Sequence, residues 1–538
     1  MGRLILRPSC WLVPALQYVL LAATSCFSSF YINHDAALYL QCGQLILEGK
    51  TPYVDFYDNN TPLIMYMSAV PVLISQASGL TVMQSFAVVV LIAILVSTLA
   101  IRRVMACNGI SAKTSLIWIS AWIFMNLMTQ VFHDFGQREH LFIILASPFF
   151  LVRFSRVQNG KVNHGDFFLL AAGFLAGMGA ALKPYFIVMI LAGELAMFIK
   201  VRKRSIWVCP ELFGFVLFGV LYALFFAFSP QIRTNYLEVL APLISKGNSA
   251  YYAPASAIWN SFNPLHNKHS AYVFLATVVF CVDIVWVLIL ALNQKKPISG
   301  TIYLMVLAVM ALFFYLYQAK GWYYHMIPFE FLVVSVFALN LSALFDNLQR
   351  KTLFQKSFAS WSLACLLALQ LSISGVFIWR MDDQGRYWNA RFFEILKETP
   401  AENNRVLVVS SSLKAYPFLL QADKRPGSRF LWFFPVALLY SQSHDLNLSE
   451  AEIYAKGSFD KVLESRFLAE LASDIETTRP AMIFMSSGKS DQGLPKNVTL
   501  KNYLKFHKIN ELIEKYYQLD LQNFHANDGA LFDLWVLK

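Results

Sequence analysis

The chain has 538 residues, of which 57% are hydrophobic and 14% charged, with a formal net charge of +11. Soluble domains carry about 25% charge, so the apolar excess calls for lipid rather than a water-filled surrounding. The positive balance is accounted for by short basic loops between apolar runs, so nucleic acid is not needed as a partner.

Apolar runs long enough to cross a hydrocarbon layer of about 30 Å recur along the first 380 positions. In chain order they fall at roughly 11–31, 83–101, 114–131, 139–153, 167–182, 184–199, 206–229, 271–293, 300–318, 326–345 and 357–379. Segment 62–80 is also apolar, but Pro62, Pro71, Ser75, Gln76, Ser78 and Gly79 interrupt it, and it reads as an interfacial or re-entrant helix, with an extra span as the rival. The fold class expected is a polytopic α-helical membrane protein of about 11–13 spans, followed by a smaller extracytoplasmic α/β domain.

Basic residues set the expected orientation. Arg3 and Arg7, Arg102, Arg103 and Lys113, Arg153, Arg156 and Lys161, and Lys200 to Arg204 lie in alternate connections. Lys295 and Lys296, then Arg350, Lys351 and Lys356, continue the series, which places the amino terminus in the cytoplasm. The first apolar run continues past Cys26 and reads as an uncleaved span rather than a signal peptide. The seven cysteines form no CxxC pair and none follows Cys365, so neither a disulfide framework nor a zinc cluster is indicated. An external domain without cysteine suits a periplasm.

Polar residues then gather on the outer side in four places. The first loop holds Asn33-His34-Asp35, then Tyr53, Asp55 and Asp58, then Thr61-Pro62. A very short turn, His133 to His140, contains Asp134, Arg138, Glu139 and His140, although a solvated turn with an internal ion pair explains part of it. Lys183 stands between two apolar stretches with almost no loop, where a snorkelling lysine is the plain alternative. The fourth cluster runs from Gln318 to Pro328 and holds Lys320, Trp322, Tyr324 and His325; an aromatic belt accounts for its rings but not for Lys320 and His325.

Past residue 380 charge becomes frequent, and β-rich runs at 405–410, 480–485 and 530–537 alternate with helical patterns at 449–471 and 500–517. The chain therefore divides into a membrane part, 1–380, and an α/β part, 381–538. Acids with a ring of cations at a membrane boundary suit a lipid-linked phosphate: cations hold the phosphate while a carboxylate takes a proton from an attacking group. Stabilising the charge that grows on a departing phosphate lowers the barrier directly.

The motifs Asp35-Ala-Ala-Leu-Tyr39, Gly49-Lys-Thr-Pro-Tyr53-Val-Asp55, Thr61-Pro62, Gly136-Gln-Arg-Glu-His-Leu141 and Lys320-Gly-Trp-Tyr-Tyr-His325 are similar to those of the bacterial GT-C glycosyltransferases. That group includes protein O-mannosyltransferases and the lipid A aminoarabinose transferases. The resemblance implies an inner-membrane enzyme with a periplasmic site, moving a sugar from a polyprenyl-phosphate donor to a glycan, lipid or protein acceptor of the cell envelope. It implies Asp35 as general base of an inverting displacement and Asp134 as a second acid. Arg138, Lys183, Lys320 and His325 would engage the donor phosphate. Tyr53, Asp55, Asp58, Glu139, His140, Trp322 and Tyr324 complete the expected substrate-binding set. No metal is expected to be obligatory, with a divalent cation left open. Two departures stand out: Ala36 follows Asp35 where some relatives have a paired acid, and Asn60 precedes Thr61-Pro62 where aminoarabinose-type members have lysine before proline. A transporter of lipid-linked sugars and a noncatalytic assembly protein are the rival readings.

Overall fold

The computed structural model describes residues 11–27, 32–200, 206–292, 299–348, 390–400, 402–443, 448–488, 491–525 and 530–538, with Leu369 and Ser372 as isolated positions. The expected span at 357–379, and the cations Arg3, Arg7, Arg202, Lys203, Arg204, Lys295, Lys296, Arg350, Lys351 and Lys356, lie outside the described residues.

The chain is a multi-pass membrane protein. Among the described residues seven helices are long and apolar enough to cross a membrane: Val82–Cys107, Ala112–Val131, Arg138–Asn159, Pro210–Phe228, Lys268–Ile289, Ser299–Gln318 and Tyr323–Leu341. Leu12–Cys26, Pro62–Ser78 and Asp166–Ala180 are shorter apolar helices. The helices in order are α1 (Leu12–Phe27), α2 (His34–Leu47), α3 (Pro62–Ser78), α4 (Val82–Cys107), α5 (Ala112–Val131), α6 (Arg138–Asn159), α7 (Asp166–Ala180), α8 (Pro184–Lys200) and α9 (Pro210–Phe228). After them come the short α10 (Pro230–Arg233), α11 (Ala241–Gly247) and α12 (Ala255–Asn260), then α13 (Lys268–Leu292), α14 (Ser299–Gln318) and α15 (Ile327–Leu348).

Two compact units result, and each interleaves distant parts of the chain. The first takes the described parts of Met1–Ser29, Gln84–Leu224 and Ala253–Met381. The second takes those of Phe30–Met83, Phe225–Tyr252 and Asp382–Lys538.

In the first unit α5 packs on α1 and α15, α6 on α7, α14 and α15, and α8 on α14. Glycines of α7 and α9 let their backbones meet: a Cβ on Gly173 of α7 would sit 1.8 Å from Glu211 O, and one on Gly214 of α9 would sit 2.0 Å from Leu170 O. Arg153 and Arg156, which the orientation argument counts among loop cations, are instead helical and buried. Arg153 donates to both carboxylate oxygens of Glu194, from Nε at 2.9 Å and Nη2 at 2.5 Å, and to Ile206 O at 2.9 Å. Arg156 grips Glu211 through Nε and, at 2.8 Å, through Nη2. Fork-to-carboxylate pairing is what makes such burial tolerable.

In the second unit a five-stranded sheet runs in the order β2-β1-β3-β5-β4, from β1 (Arg405–Val409), β2 (Arg425–Pro426), β3 (Met482–Ser486), β4 (Tyr517–His525) and β5 (Leu531–Leu537). β1 is parallel to β2 and β3, whereas β5 is antiparallel to β3 and β4. All five residues of β3 are buried, as a central strand of a covered sheet requires. The ring of Phe392 lies against Phe418, Phe484 and Phe532 and closes part of the core.

Helix α2, where the sequence predicts a loop, belongs to this same unit. Every residue from Asp35 to Gln44 is buried, because α2 packs on α3 and on helix Tyr416–Gln421. β4 follows directly on the helical pattern expected at 500–517 and is not itself announced by the sequence. It is a mostly exposed edge strand with two register shifts, so it lacks the apolar alternation that announces a strand.

Candidate active site

The first unit assembles a cluster from three turns. Asp134 and Gly136 shape the turn before α6. Gly136 has φ +75°, and a Cβ there would meet the ring of Phe86 at 2.2 Å, so only glycine fits. Arg138 and Glu139 follow in the first turn of α6. Lys183 sits between α7 and α8, immediately before Pro184. Ala319 and Gly321, both at positive φ, turn the chain around Lys320, and a short helix at Tyr323–Met326 then presents His325.

Glu139, Lys183 and His325 are all buried. Lys183 Nζ donates to Glu139 Oε1, which also accepts from Tyr185 OH at 2.9 Å. Nζ lies 3.3 Å from His325 Nε2, and the ring of Tyr324 lies 5.2 Å from it. Lys320 stands over the ring of Trp322 at 4.9 Å. The remaining Glu139 oxygen, Oε2, is buried without a hydrogen-bond partner among the described residues, as is His325 Nδ1. Burial lowers the Lys183 ammonium to about 7; the positive charge of Arg138 pulls the same way, and Glu139 only partly opposes them. Lys183, Arg138 and Lys320 thus lie within electrostatic reach of one another beside the buried Glu139. Convergent cations of this kind suit an anionic group.

His140 is built differently. Its Nδ1 accepts from Gly136 N at 3.0 Å, so the proton rests on Nε2, which donates to Asn126 Oδ1 at 2.8 Å. Both ring nitrogens are engaged inside the protein, and the residue is 0% exposed. It braces the turn carrying Asp134 and Arg138.

The second unit carries the first-loop acids. Asp35 lies in the first turn of α2, where the helix dipole favours a carboxylate, and the Asn33 side chain accepts from its backbone N–H at 2.9 Å. His34 Nε2 is 3.6 Å from Asp35 Oδ1. Tyr53 takes a positive φ, lies tilted against Tyr236 with ring centroids 4.7 Å apart, and donates its hydroxyl to Asn60 O. Asp58 is 0% exposed; Oδ1 accepts from Trp432 Nε1 at 3.0 Å and Oδ2 from Asn60 Nδ2 at 2.9 Å. Asp55 is exposed and accepts from Thr51 N at 2.8 Å. Asp58 therefore spends its oxygens on holding the loop, while Asp35 stands at a helix end.

The structure thus joins Glu139, Lys183, Tyr324 and His325 directly, with Arg138 and Lys320 within electrostatic reach. Tyr185 was missing from the expected set. Its position two residues after Lys183, next to a proline, was the available signal. Among the described residues no group of three or more His, Cys, Asp or Glu side chains is arranged to hold a metal ion.

No family model matches the sequence. No curated protein matches it either. Two crystal structures of ArnT from Cupriavidus metallidurans do match in fold, each over 97% of both chains. The apo structure superposes with a TM-score of 0.57 at 12% identity, and the one bound to undecaprenyl phosphate with 0.51 at 11%. The chain has the GT-C fold.

Proposed function

We propose that this protein transfers a sugar from a polyprenyl-phosphate donor to a cell-envelope acceptor, as an inverting enzyme of the bacterial inner membrane. The reading sets the amino terminus in the cytoplasm and the sheet domain in the periplasm. The observation that carries it is the buried meeting of Lys183, Glu139 and His325, with Arg138 and Lys320 acting on the same ammonium. A phosphate with a lipid tail is an anion that convergent cations at a membrane boundary suit. The likeness in fold to a protein crystallised with undecaprenyl phosphate supports the same ligand class.

Chemically, the cations compensate the charge that accumulates on the phosphate oxygen as the bond to the sugar carbon breaks. Asp35 accepts the proton of the attacking acceptor group, the role its helix-end carboxylate is suited to. Asp134 is the second acid, and Tyr53, Asp55, Trp322 and Tyr324 contact sugar or acceptor. Asp58 and His140 act through the positions of the loops they brace. No step requires a metal.

The test is transfer by purified protein from a panel of polyprenyl-phosphate sugars, with and without EDTA, alongside Asp35→Asn and Lys183→Met. Transfer by the wild type, abolished in Asp35→Asn while the protein still binds the lipid, supports the reading. Lipid binding without transfer from any donor overturns it in favour of a carrier of lipid-linked sugars.

A further inference from the structure

Two short helices of the sheet domain, Glu450–Lys456 and Leu500–Phe506, meet at a pair of rings on its surface. Phe506 is 54% exposed, and its ring stacks on that of Tyr454 with centroids 4.5 Å apart and planes 20° apart. A single exposed apolar side chain is ordinary, whereas two stacked rings make a flat apolar platform. The platform is held in place. Tyr454 OH donates to Glu450 Oε1 at 2.9 Å, and Asn502 Nδ2 donates to Glu450 Oε2 at 2.9 Å, so one carboxylate ties both helices together. The ring of His507 meets that of Phe506 edge-on at 5.0 Å.

Exposed lysines accompany the rings. Lys456 ends the helix of Tyr454, and Lys505 precedes Phe506. Lys461 lies over Gly457, with its Cε 3.0 Å from where a Cβ on that glycine would be. None of the three forms an ion pair among the described residues. The neighbouring acids are engaged within the protein. Glu450 is held as above, Glu452 accepts from Ser449 N at 2.7 Å, and Asp460 accepts from Leu463 N at 3.0 Å. The ammonium groups are therefore the charged donors that remain for a ligand.

A lipid surface engages a wide apolar helix face. Here Leu500, Tyr503 and Leu504 are buried, and Phe506 is the one exposed apolar side chain of its helix. A sugar suits the surface better, because the C–H face of a pyranose packs on an aromatic ring, and an acidic substituent accepts charge-assisted hydrogen bonds from ammonium groups.

We infer that this surface binds an acidic glycan, with one sugar ring on the stack of Phe506 and Tyr454 and a carboxylate or phosphate on Lys456, Lys461 or Lys505. The inference concerns binding alone and stands independently of sugar transfer.

The probes are trigalacturonate and trehalose 6-phosphate, titrated calorimetrically into the full-length protein in phosphatidylcholine nanodiscs. Maltotriose and trehalose are the neutral counterparts, and triglutamate is an anion without a sugar. The acidic sugars are expected to bind saturably and at least about tenfold more tightly than any of the three controls. Phe506→Leu should weaken them by about five- to tenfold and Phe506→Trp should retain them, while Lys505→Gln should cost roughly threefold. The comparison of probes on the wild type keeps the test decisive should a variant fold poorly. Triglutamate binding as tightly as the acidic sugars, or unchanged sugar binding by folded Phe506→Leu, overturns the inference. Capture of phosphatidylglycerol vesicles with no binding of either acidic sugar overturns it in favour of a lipid surface.

Discussion

Trp432 Nε1 donates a 3.0 Å hydrogen bond to Asp58 Oδ1, joining two residues 374 positions apart in sequence. The indole belongs to the segment after β2, and the carboxylate to the loop that follows α2. Nearby, Tyr57 N donates to Arg429 O at 2.6 Å, and Arg425 pairs with Glu48 at 2.9 Å. The acidic first loop is thereby made part of the sheet domain.

Replacing Trp432 by phenylalanine removes one donor from a fully buried carboxylate. Such an orphaned acceptor costs about 1–3 kcal/mol. Thermal unfolding of the purified protein should show Trp432→Phe destabilised by that amount. Asp58→Asn keeps an oxygen for the indole but turns an NH2 toward the Asn60 donors, and should be destabilised by a similar amount.

Lys183 gives a pH dependence. With its ammonium lowered to about 7 in the folded protein against about 10.4 unfolded, the unfolded chain holds the extra proton between those values, so stability rises with pH across that window. Binding of a phosphate lipid should run the other way and weaken several-fold between about pH 6 and pH 8 as the ammonium discharges. The groups facing Lys183 are Glu139, Tyr185, Arg138, Lys320 and His325. Lys183→Arg, charged throughout, should flatten the binding profile.

Glu464 predicts acid sensitivity in the sheet domain. Burial alone would raise its carboxyl, but hydrogen bonds from Ser458, Tyr440 and Tyr503, with the His507 ring 3.5 Å away, hold it below the usual range. Its contribution is therefore complete above the ordinary glutamate value and lost as pH falls through the lower, folded value. Glu464→Gln should lower the melting temperature near neutral pH and flatten the acid limb of a melting-temperature profile.

Arg153 tests the buried pairs of the first unit. Arg153→Met leaves Glu194 without its cation and should cost about 3–5 kcal/mol. Adding Glu194→Leu should recover much of that loss, read as thermal stability in detergent. A double variant no more stable than the single one would show that the pair is not the coupled unit described here.

The long apolar helices were legible because lipid imposes one signal, length with low charge, on α4, α5, α6, α13 and α14. β1, β3 and β5 were legible because each is a short apolar run bounded by turns. α2 was not, because its burial on all sides comes from distant segments and leaves no helical periodicity in the sequence. Within the site, Lys183 stands on the outer face, where cations are scarce, and an aromatic belt does not account for His325. Their convergence on Glu139 depends on how α6, α8 and α15 pack, which no local pattern encodes.

The long reach between Asp58 and Trp432 also sets a clock during synthesis. A ribosome adds about 5–20 residues each second, so the loop around Asp58 waits roughly 20–75 s before the indole that captures it exists. Throughout that interval the membrane helices are being inserted and the loop has no partner from β1 onward. Slower translation lengthens the interval in which a protease can cut it. Translation speed thus influences how much finished protein accumulates, even when the stability of the completed fold is unchanged.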